Sequence, residues 1–475
     1  MITTDLHYIS ATEAVSLFRA RKLSPVELLQ AVIDRADKVE PKINAFAEKR
    51  YDEALEQARA AEARYAVGGQ PPRPLEGLPV AVKEEAPIKG QKNTFGCLPL
   101  KDAVADHTAV FAQRIIDAGG IVHARTTTPE FSCAPITWSK LWGVTRNPWN
   151  LAFSPGGSSG GSGASLAAGS TTLATGSDIG GSIRIPASFC GVVGFKPPYG
   201  RVPETEIFNL DHYCHEGPLA RNVADCALLE NVIAGPDPSD VVSLRPKLVI
   251  PDRLDAIHGL RIALSTDLGC YEVDKDVVAN TRAAAERLRE AGATVEEVSL
   301  PWALADITRA ARIHFGMVFG PSVQDVYDKH RDDMTSYARS LVEDSAKISK
   351  DDFIKGLELE GRIYAPLGDI LEKFDVLICP TFAVPALPAE YDTSDELRIN
   401  GQSIADSLDV LMTVPFNIAS RCPVISVPSG RSRDGVPTGL SVVGKTYDDI
   451  TAFRVAAAHE QRFPWLDEPS RRPAL

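Results

Sequence analysis

Two serine clusters in a glycine-rich stretch are the residues of this chain best suited to covalent chemistry. Residues 154–203 hold twelve of the 35 glycines and nine serines. Ser158 lies in GGSSGG and Ser182 in SDIGGS, 24 residues further on (182 − 158). Glycines before a serine leave backbone N–H groups uncovered, and such groups bind an oxyanion beside a nucleophilic hydroxyl. That geometry indicates acyl transfer. From composition alone, an ordinary glycine-rich turn with unreactive serines is an equal alternative.

The same stretch predicts a buried framework. Between residues 154 and 193 the only formal charges are Asp178 and Arg184, and compact apolar clusters alternate with the polar residues. A flexible glycine–serine linker lacks such clusters. We expect the two charges to pair structurally without a catalytic role.

A lysine upstream completes a possible catalytic set. Residues 78–84 (LPVAVKE) predict a short strand with Lys83 on the face opposite Val80 and Val82. Periodicity alone is also compatible with a solvated surface lysine. A lysine can act as a base only when neutral, and burial in an uncharged surrounding disfavours its ammonium form.

Together these motifs resemble the amidase signature hydrolases. The resemblance rests on GLPVAVKE, GGSSGGSGASLAAG, TGSDIGGSIRIPASFCGVVGFKP, DVLICPT and TGLSVVG, and so runs over most of the chain. It implies a Ser-cisSer-Lys triad in which Ser182 is the nucleophile, Ser158 the bridging proton shuttle and Lys83 the general base. The implied oxyanion hole consists of the backbone N–H groups of Ile179, Gly180, Gly181 and Ser182. The family usually has aspartate after the lysine, where this chain has the supporting residue Glu84.

The resemblance implies a serine hydrolase that cleaves carboxamide bonds through an acyl-enzyme. Apolar and aromatic loops favour aryl or alkyl amides, while esters and carbamates (urethanes) pass through similar tetrahedral intermediates. One alternative is the glutamine-hydrolysing subunit of an amidotransferase complex. Another is an α/β-hydrolase-type esterase that uses Ser158 of a G-x-S-x-G motif, although no apolar strand precedes that serine.

The fold class implied by the resemblance is α/β, a single large domain over residues 1–475 with a mixed twisted β-sheet covered by α-helices on both faces. We expect N-terminal helices over 1–75 and a catalytic core over 76–300. A helical cap is expected over 301–373, followed by C-terminal strands and a helix that returns to the core over 374–475. Residues 24–27 predict a capped helix start, and residues 217–235 predict one helix.

Loops next to the signature are expected to line the substrate pocket. They contain Cys133, Ile136, Thr137 and Trp138, which precede the first serine motif, and Tyr213, which follows the second. The nearby His212 and His215 show no metal-ligand spacing, so we expect neither a metal nor another cofactor.

Composition and net charge indicate which kinds of binding partner and cellular location to expect. The 475 residues are 44% apolar and 24% charged, which is ordinary for a soluble globular protein, and the net charge of −13 argues against nucleic acid. The N-terminus lacks a signal-peptide pattern. The sequence also lacks an apolar run of about 20 residues, so we expect no association with a membrane. Eight scattered cysteines indicate reduced thiols in a cytoplasmic protein. The expected partner is a small-molecule amide, bound by a monomer or homodimer.

Overall fold

The computed structural model describes residues 5–67, 71–466 and 468–475. The main element of these ranges is a mixed sheet of eleven strands. The strands of those ranges, including two short ribbons, are β1 (Phe46–Lys49), β2 (Pro79–Lys83), β3 (Ile121–Thr126), β4 (Trp138–Ser139), β5 (Gly143–Val144), β6 (Leu173–Ser177), β7 (Val193–Lys196), β8 (Glu216–Ala220), β9 (Arg261–Leu264), β10 (Thr294–Glu297), β11 (Val376–Pro380), β12 (Leu397–Ile399), β13 (Gln402–Ile404), β14 (Val424–Arg431) and β15 (Pro437–Gly444). The sheet order is β1-β3-β2-β6-β8-β7-β14-β15-β11-β9-β10. Strand β2 is parallel to β3 and β6, and β9 is parallel to β10 and β11; the remaining neighbours are antiparallel.

Thirteen α-helices accompany the sheet within the described ranges. They are α1 (Ala11–Arg19), α2 (Pro25–Ile43), α3 (Tyr51–Val67), α4 (Val110–Asp117), α5 (Gly160–Ala168), α6 (Arg184–Cys190), α7 (Val223–Ile233), α8 (Lys275–Glu290), α9 (Leu304–His330), α10 (Ser336–Ser345), α11 (Lys350–Lys373), α12 (Pro415–Ile418) and α13 (Asp449–Arg462). None of these described helices is long and apolar enough to cross a membrane.

Helices cover both faces of the sheet. Neighbouring side chains of a strand point to opposite faces. On β15, Val442 belongs to the apolar cluster that contains Phe453 of α13, whereas Val443 belongs to the cluster that contains Ile313 of α9. The alternating residues therefore pack on different helices, and the predicted α/β class with a mixed sheet is confirmed.

The start of α2 shows how local sequence determines an element. The Ser24 side chain accepts from the Val26 N–H at 3.0 Å, and the Glu27 carboxylate accepts from the Ser24 N–H at 2.9 Å. Pro25 occupies the first helical position. These contacts form a capping box, which satisfies N–H groups that the helix itself leaves without partners, as the sequence predicts.

Residues 217–235 differ from the prediction of one helix. Their first part belongs to strand β8, and α7 begins only at Val223 after the cap Asn222. Strand β8 pairs with both β6 and β7, so the interior of the sheet determines its conformation. The difference matters for the site, because β8 brings Glu216 opposite Ser177.

Candidate active site

The predicted triad comes from three separate elements. Lys83 is the last residue of β2, Ser158 lies in the loop before α5, and Ser182 lies in the turn before α6. Strand β6 runs parallel to β2 and ends at Ser177, so the two strands end on the same side of the sheet. No described strand ends directly before Ser158, which distinguishes its loop from the strand-to-helix turn of an α/β-hydrolase.

Lys83 is buried among hydroxyl groups and one carboxylate. Its side chain is 1% exposed, and its Nζ donates to Ser158 Oγ at 2.7 Å and to Ser177 Oγ at 2.8 Å. The same Nζ lies 2.7 Å from Oε1 of Glu85. The lysine and the shuttle serine of the predicted triad are thus in direct contact.

The loop that carries Ser158 is held by close backbone packing. The Gly157–Ser158 peptide bond is cis. A Cβ atom on Gly157 would lie 2.3 Å from the carbonyl oxygen of Ile136, so any larger residue would collide with backbone there. Thr137 Oγ1 donates to the Gly156 carbonyl oxygen at 2.8 Å. Ile136 and Thr137 therefore support this loop.

Ser182 lies at the wall of a cavity of about 490 Å³. Its carbonyl oxygen accepts from the Ser159 N–H at 3.2 Å, which joins the two serine motifs. Within the described ranges its hydroxyl makes no hydrogen bond, so the Ser158–Ser182 contact of the predicted triad is not formed in this structure. Catalytic hydrogen bonds commonly tighten only when substrate binds.

The four predicted oxyanion donors are not equivalent. The Gly181 N–H donates to Asp178 Oδ1 at 2.9 Å, whereas the N–H groups of Ile179, Gly180 and Ser182 have no acceptor among the described residues. Those three residues also line the cavity. The oxyanion hole stays a prediction, and the three uncommitted donors suit it best.

Asp178 and Arg184 form a buried ion pair on either side of the turn that carries Ser182. Arg184 donates from Nε to Oδ2 at 2.9 Å and from Nη2 to Oδ1 at 2.8 Å, and both side chains are 0% exposed. Burial alone would raise the pKa of Asp178, but the charge and hydrogen bonds of Arg184, with a bond from Asn417, hold that pKa below its ordinary value. The predicted structural pairing is confirmed.

Three further carboxyl groups lie near the lysine, so its surroundings contain more ionisable groups than the sequence suggested. Glu85 contacts Lys83, and Glu204 and Glu216 adjoin each other and interact with Glu85. Burial raises the pKa of Glu204 to about 6. Burial, reinforced by the Glu204 and Glu85 carboxylates, raises the pKa of Glu216 well above its ordinary value. Sequence reasoning missed this group because its members follow the motif or lie on β8.

Glu84, which replaces the usual aspartate of the family, supports a loop. It is fully buried and accepts from Thr94 Oγ1 at 2.6 Å and from the Gly96 N–H at 3.2 Å. These bonds fix residues 94–96 against the end of β2. Burial raises the pKa of Glu84.

The cavity walls come mainly from segments outside the signature. Of the pocket residues predicted from sequence, Cys133 lines the cavity, but Ile136, Thr137, Trp138 and Tyr213 do not. The helical segment and the C-terminal part supply most of the remaining lining, which the signature could not indicate: Arg312, Phe315, Gly316, Phe319, Tyr337, Ser340, Leu341, Asp344, Lys347, Ile348, Thr393, Ser394, Ala405, Asp406, Ser407, Leu408 and Leu411.

The two aromatic residues of the sequence prediction are occupied elsewhere. The Trp138 indole donates to the Tyr391 carbonyl oxygen at 2.9 Å. Tyr213 is fully buried, stacks on His314 at 3.5 Å between ring centroids, and donates to Glu360 Oε1 at 2.9 Å. Each ring finds its polar partner outside the cavity.

One group of described residues has ligand atoms close enough to hold a metal ion. Asp211, His212 and His314 bring these atoms within 4.8 Å of one another. His314 Nε2 lies 2.7 Å from Asp211 Oδ1, and His212 Nε2 lies 3.1 Å from Glu360 Oε2, so these contacts join the 208–215 loop to helices α9 and α11. The sequence analysis predicted no metal site because it considered only the spacing of ligands along the chain. That spacing cannot reveal a cluster in which Asp211 and His314 lie 103 residues apart.

Comparison with known proteins agrees with this architecture. The amidase family profile matches residues 27–452. The chain is 34% identical to an acylamidase of Rhodococcus erythropolis and 33% identical to a glutamyl-tRNA(Gln) amidotransferase subunit of Moorella thermoacetica, covering 98% of both chains in the first case and 99% in the second. The crystal structure of a bacterial aryl acylamidase of the amidase signature family superposes with a TM-score of 0.91 at 32% identity, over 98% of this chain and 99% of that one. This chain therefore belongs to the amidase signature family and is an amide-hydrolysing enzyme.

Proposed function

We propose that this enzyme cleaves carboxamide bonds through an acyl-enzyme on Ser182. The observation that carries the proposal is the 2.7 Å contact between Lys83 Nζ and Ser158 Oγ, next to the cavity that Ser182 lines. A serine hydroxyl needs a base to become a nucleophile. The lysine and the shuttle serine supply a path for the proton.

In the first half-reaction, Ser182 Oγ attacks the carbonyl carbon and a carbon–oxygen bond forms. Its proton passes to Ser158 Oγ, and the Ser158 proton passes to the lone pair of neutral Lys83. The electron pair of the carbonyl moves onto its oxygen. The oxyanion then re-forms the carbonyl, the carbon–nitrogen bond breaks, and the proton returns through Ser158 to the leaving amine. Water next attacks the acyl carbon and gives a proton through Ser158 to Lys83. When this second intermediate collapses, the bond to Ser182 Oγ breaks, the proton returns to that oxygen, and the carboxylic acid leaves.

The developing oxyanion needs hydrogen-bond donors already in position. The N–H groups of Ile179, Gly180 and Ser182 suit this role because these residues line the cavity and the three groups have no acceptors among the described residues. Removing one donor from comparable sites costs about 3–4 kcal/mol of transition-state stabilisation.

The cavity favours an aryl or alkyl acyl amide as substrate. Phe315, Phe319, Ile348 and Leu411 give it apolar walls, which suit a hydrophobic group beside the scissile bond. The likeness to an acylamidase supports the same class. Esters and carbamates fit the chemistry too, since their cleavage passes through tetrahedral intermediates of the same kind.

A second candidate is glutamine hydrolysis within an amidotransferase complex. It is favoured by the 33% identity to an amidotransferase subunit over nearly the whole of both chains. Assays with glutamine, alone and with candidate partner chains from the same source, separate the two functions. Ammonia release from glutamine exceeding acyl-anilide cleavage would replace the first proposal.

Fluorophosphonate labelling tests the nucleophile without knowledge of the substrate. We expect a single adduct, detected by intact mass and located on Ser182 by peptide mapping. Ser182→Ala and Lys83→Ala should both abolish it. The matched control is Ser165→Ala, which removes a fully buried serine of α5 whose hydroxyl bonds the Ser162 carbonyl oxygen at 3.0 Å. An adduct on Ser158 instead would indicate the esterase mechanism and refute the proposal.

A further inference from the structure

Glu85 connects the cavity wall with the triad lysine. Its Oε1 lies 2.7 Å from Lys83 Nζ and also accepts a short hydrogen bond from Ser177 Oγ. Its Oε2 accepts a short hydrogen bond from Ser132, a residue that lines the cavity. The Glu85 side chain is 14% exposed, so this ion pair is largely shielded from water. Both carboxylate oxygens are thus fixed by neighbours.

We propose that Glu85 is a positioning residue that acts through Lys83 and sets the pH range of the reaction. This inference rests on the proposed function, in which Lys83 takes up a proton while Ser182 forms its bond to the carbonyl carbon. A carboxylate 2.7 Å from Nζ stabilises the ammonium that forms in that step. It also stabilises the ammonium in the resting enzyme, and an ammonium cannot accept a proton.

The carboxylate therefore has two opposite effects on rate. It favours proton uptake by Lys83 while Ser182 forms its bond, which accelerates the reaction at high pH. It also keeps a larger fraction of the enzyme inactive at low pH. Removing its charge should consequently lower the maximal rate and move the acid limb of the pH–rate profile to lower pH.

Other titratable groups around Glu85 must be separated from this effect. Lys83 faces it from β2, Glu216 from β8, and Glu204 and Cys214 from the segments between β7 and β8. Burial raises the pKa of Glu216 and of the Cys214 thiol well above their ordinary values. Burial raises the pKa of Glu204 to about 6, so this carboxyl changes charge at a pH where the rate will be measured.

The experiment measures the rate of Ser182 phosphonylation by a fluorophosphonate between pH 5 and 10. For Glu85→Gln we expect the acid limb to move down by about one to three pH units, as for removal of an opposite charge at this distance. We expect the plateau rate to fall tenfold or more, roughly the loss for one hydrogen bond to a charged group. Glu85→Asp keeps the charge, so its acid limb should remain closer to that of the wild type.

Two controls isolate the charge at residue 85. Glu204→Gln removes the carboxyl that titrates nearby and should move the limb less than Glu85→Gln. Glu48→Gln removes an equally charged, partly buried group, which pairs with Arg50 at 2.6 Å on edge strand β1, and should leave the limb in place.

Several outcomes would overturn the inference. An unmoved acid limb in Glu85→Gln does so, as does an Asp variant whose limb moves as far as that of the Gln variant. If Glu85→Gln does not fold, Glu85→Ala takes its place and the same limb must move. If wild-type Ser182 is labelled but the acid limb of the variants does not move, this inference alone is refuted. If wild-type Ser182 is not labelled at all, the proposed function is refuted together with it.

Discussion

Replacing Asp178 by asparagine should destabilise the folded enzyme strongly, because it leaves a buried guanidinium without its counter-charge. Asp178 and Arg184 are both 0% exposed and share two hydrogen bonds of 2.8 and 2.9 Å. Arg184 would keep only neutral acceptors, the Thr413 carbonyl oxygen at 3.0 Å and Asn417 Oδ1 at 2.7 Å. Removing one partner of a buried ion pair costs about 3–5 kcal/mol.

A loss of that size changes the unfolding constant by about two to three and a half orders of magnitude, at about 1.4 kcal/mol for each tenfold change. Urea denaturation, followed by linear extrapolation, measures the free energy of unfolding of Asp178→Asn and wild type. The control is Glu286→Gln, which breaks the exposed pair with Arg289 and should cost less than about 1 kcal/mol. A similarly small loss for Asp178→Asn would refute the reasoning.

The same pair predicts a pH dependence. The pKa of Asp178 lies below its ordinary value in the folded protein, so its contribution to stability is present above the unfolded value near 3.8 and is lost as pH falls toward the folded value. The difference in unfolding free energy between wild type and Asp178→Asn should therefore shrink below about pH 4. A difference that grows on acidification would contradict this account.

Three further predictions concern the cavity, the carboxyl group on β8 and the metal-like cluster. Phe315→Ala removes a cavity wall beside Gly180 and should raise KM for anilides about tenfold, the effect of losing roughly 1.4 kcal/mol of apolar contact, while the exposed Phe353→Ala leaves KM unchanged. The raised pKa of Glu216 makes the stability of the wild type fall as pH rises above 4.5. The stability of Glu216→Gln relative to the wild type should therefore increase with pH, by up to about 1.4 kcal/mol per pH unit. Urea denaturation at pH 5 and pH 8 checks the sign of this change. Dialysis against EDTA should leave Ser182 phosphonylation unchanged, since acyl transfer to serine uses no metal, and a loss restored by Zn²⁺ would show that the cluster around Asp211 holds a functional ion.

Local sequence predicted the elements of this fold well where chemistry along the chain determines them. The capping box at Ser24 starts α2 as expected. The helix prediction for residues 217–220 was wrong, because pairing with two neighbouring strands outweighs the helical pattern that continues into α7.

The residues of the candidate site also fall into two groups, those that sequence motifs reveal and those that only the folded structure brings together. The residues of the predicted triad and the Asp178–Arg184 pair lie within motifs, so a resemblance could locate them. Glu216 and Phe315 reach the site from β8 and α9, and contacts between distant parts of the chain leave no spacing signal. Glu85 was within reach, two residues after Lys83, but its role depends on which way its side chain turns.

In the proposed mechanism, chemistry and substrate choice are carried by different parts of this chain. The proposed reacting groups lie on β2 and in the turns before α5 and α6. The apolar walls come from α9 and from the segments near residues 348 and 411. The two sets meet where the Phe315 ring lies against Gly180, since a Cβ on that glycine would be 3.2 Å from Phe315 Cζ. Under this proposal, changes in the helical segment reshape the cavity beside the proposed oxyanion donors while the contact between Lys83 and Ser158 stays intact, so substrate choice can change without loss of the proton path.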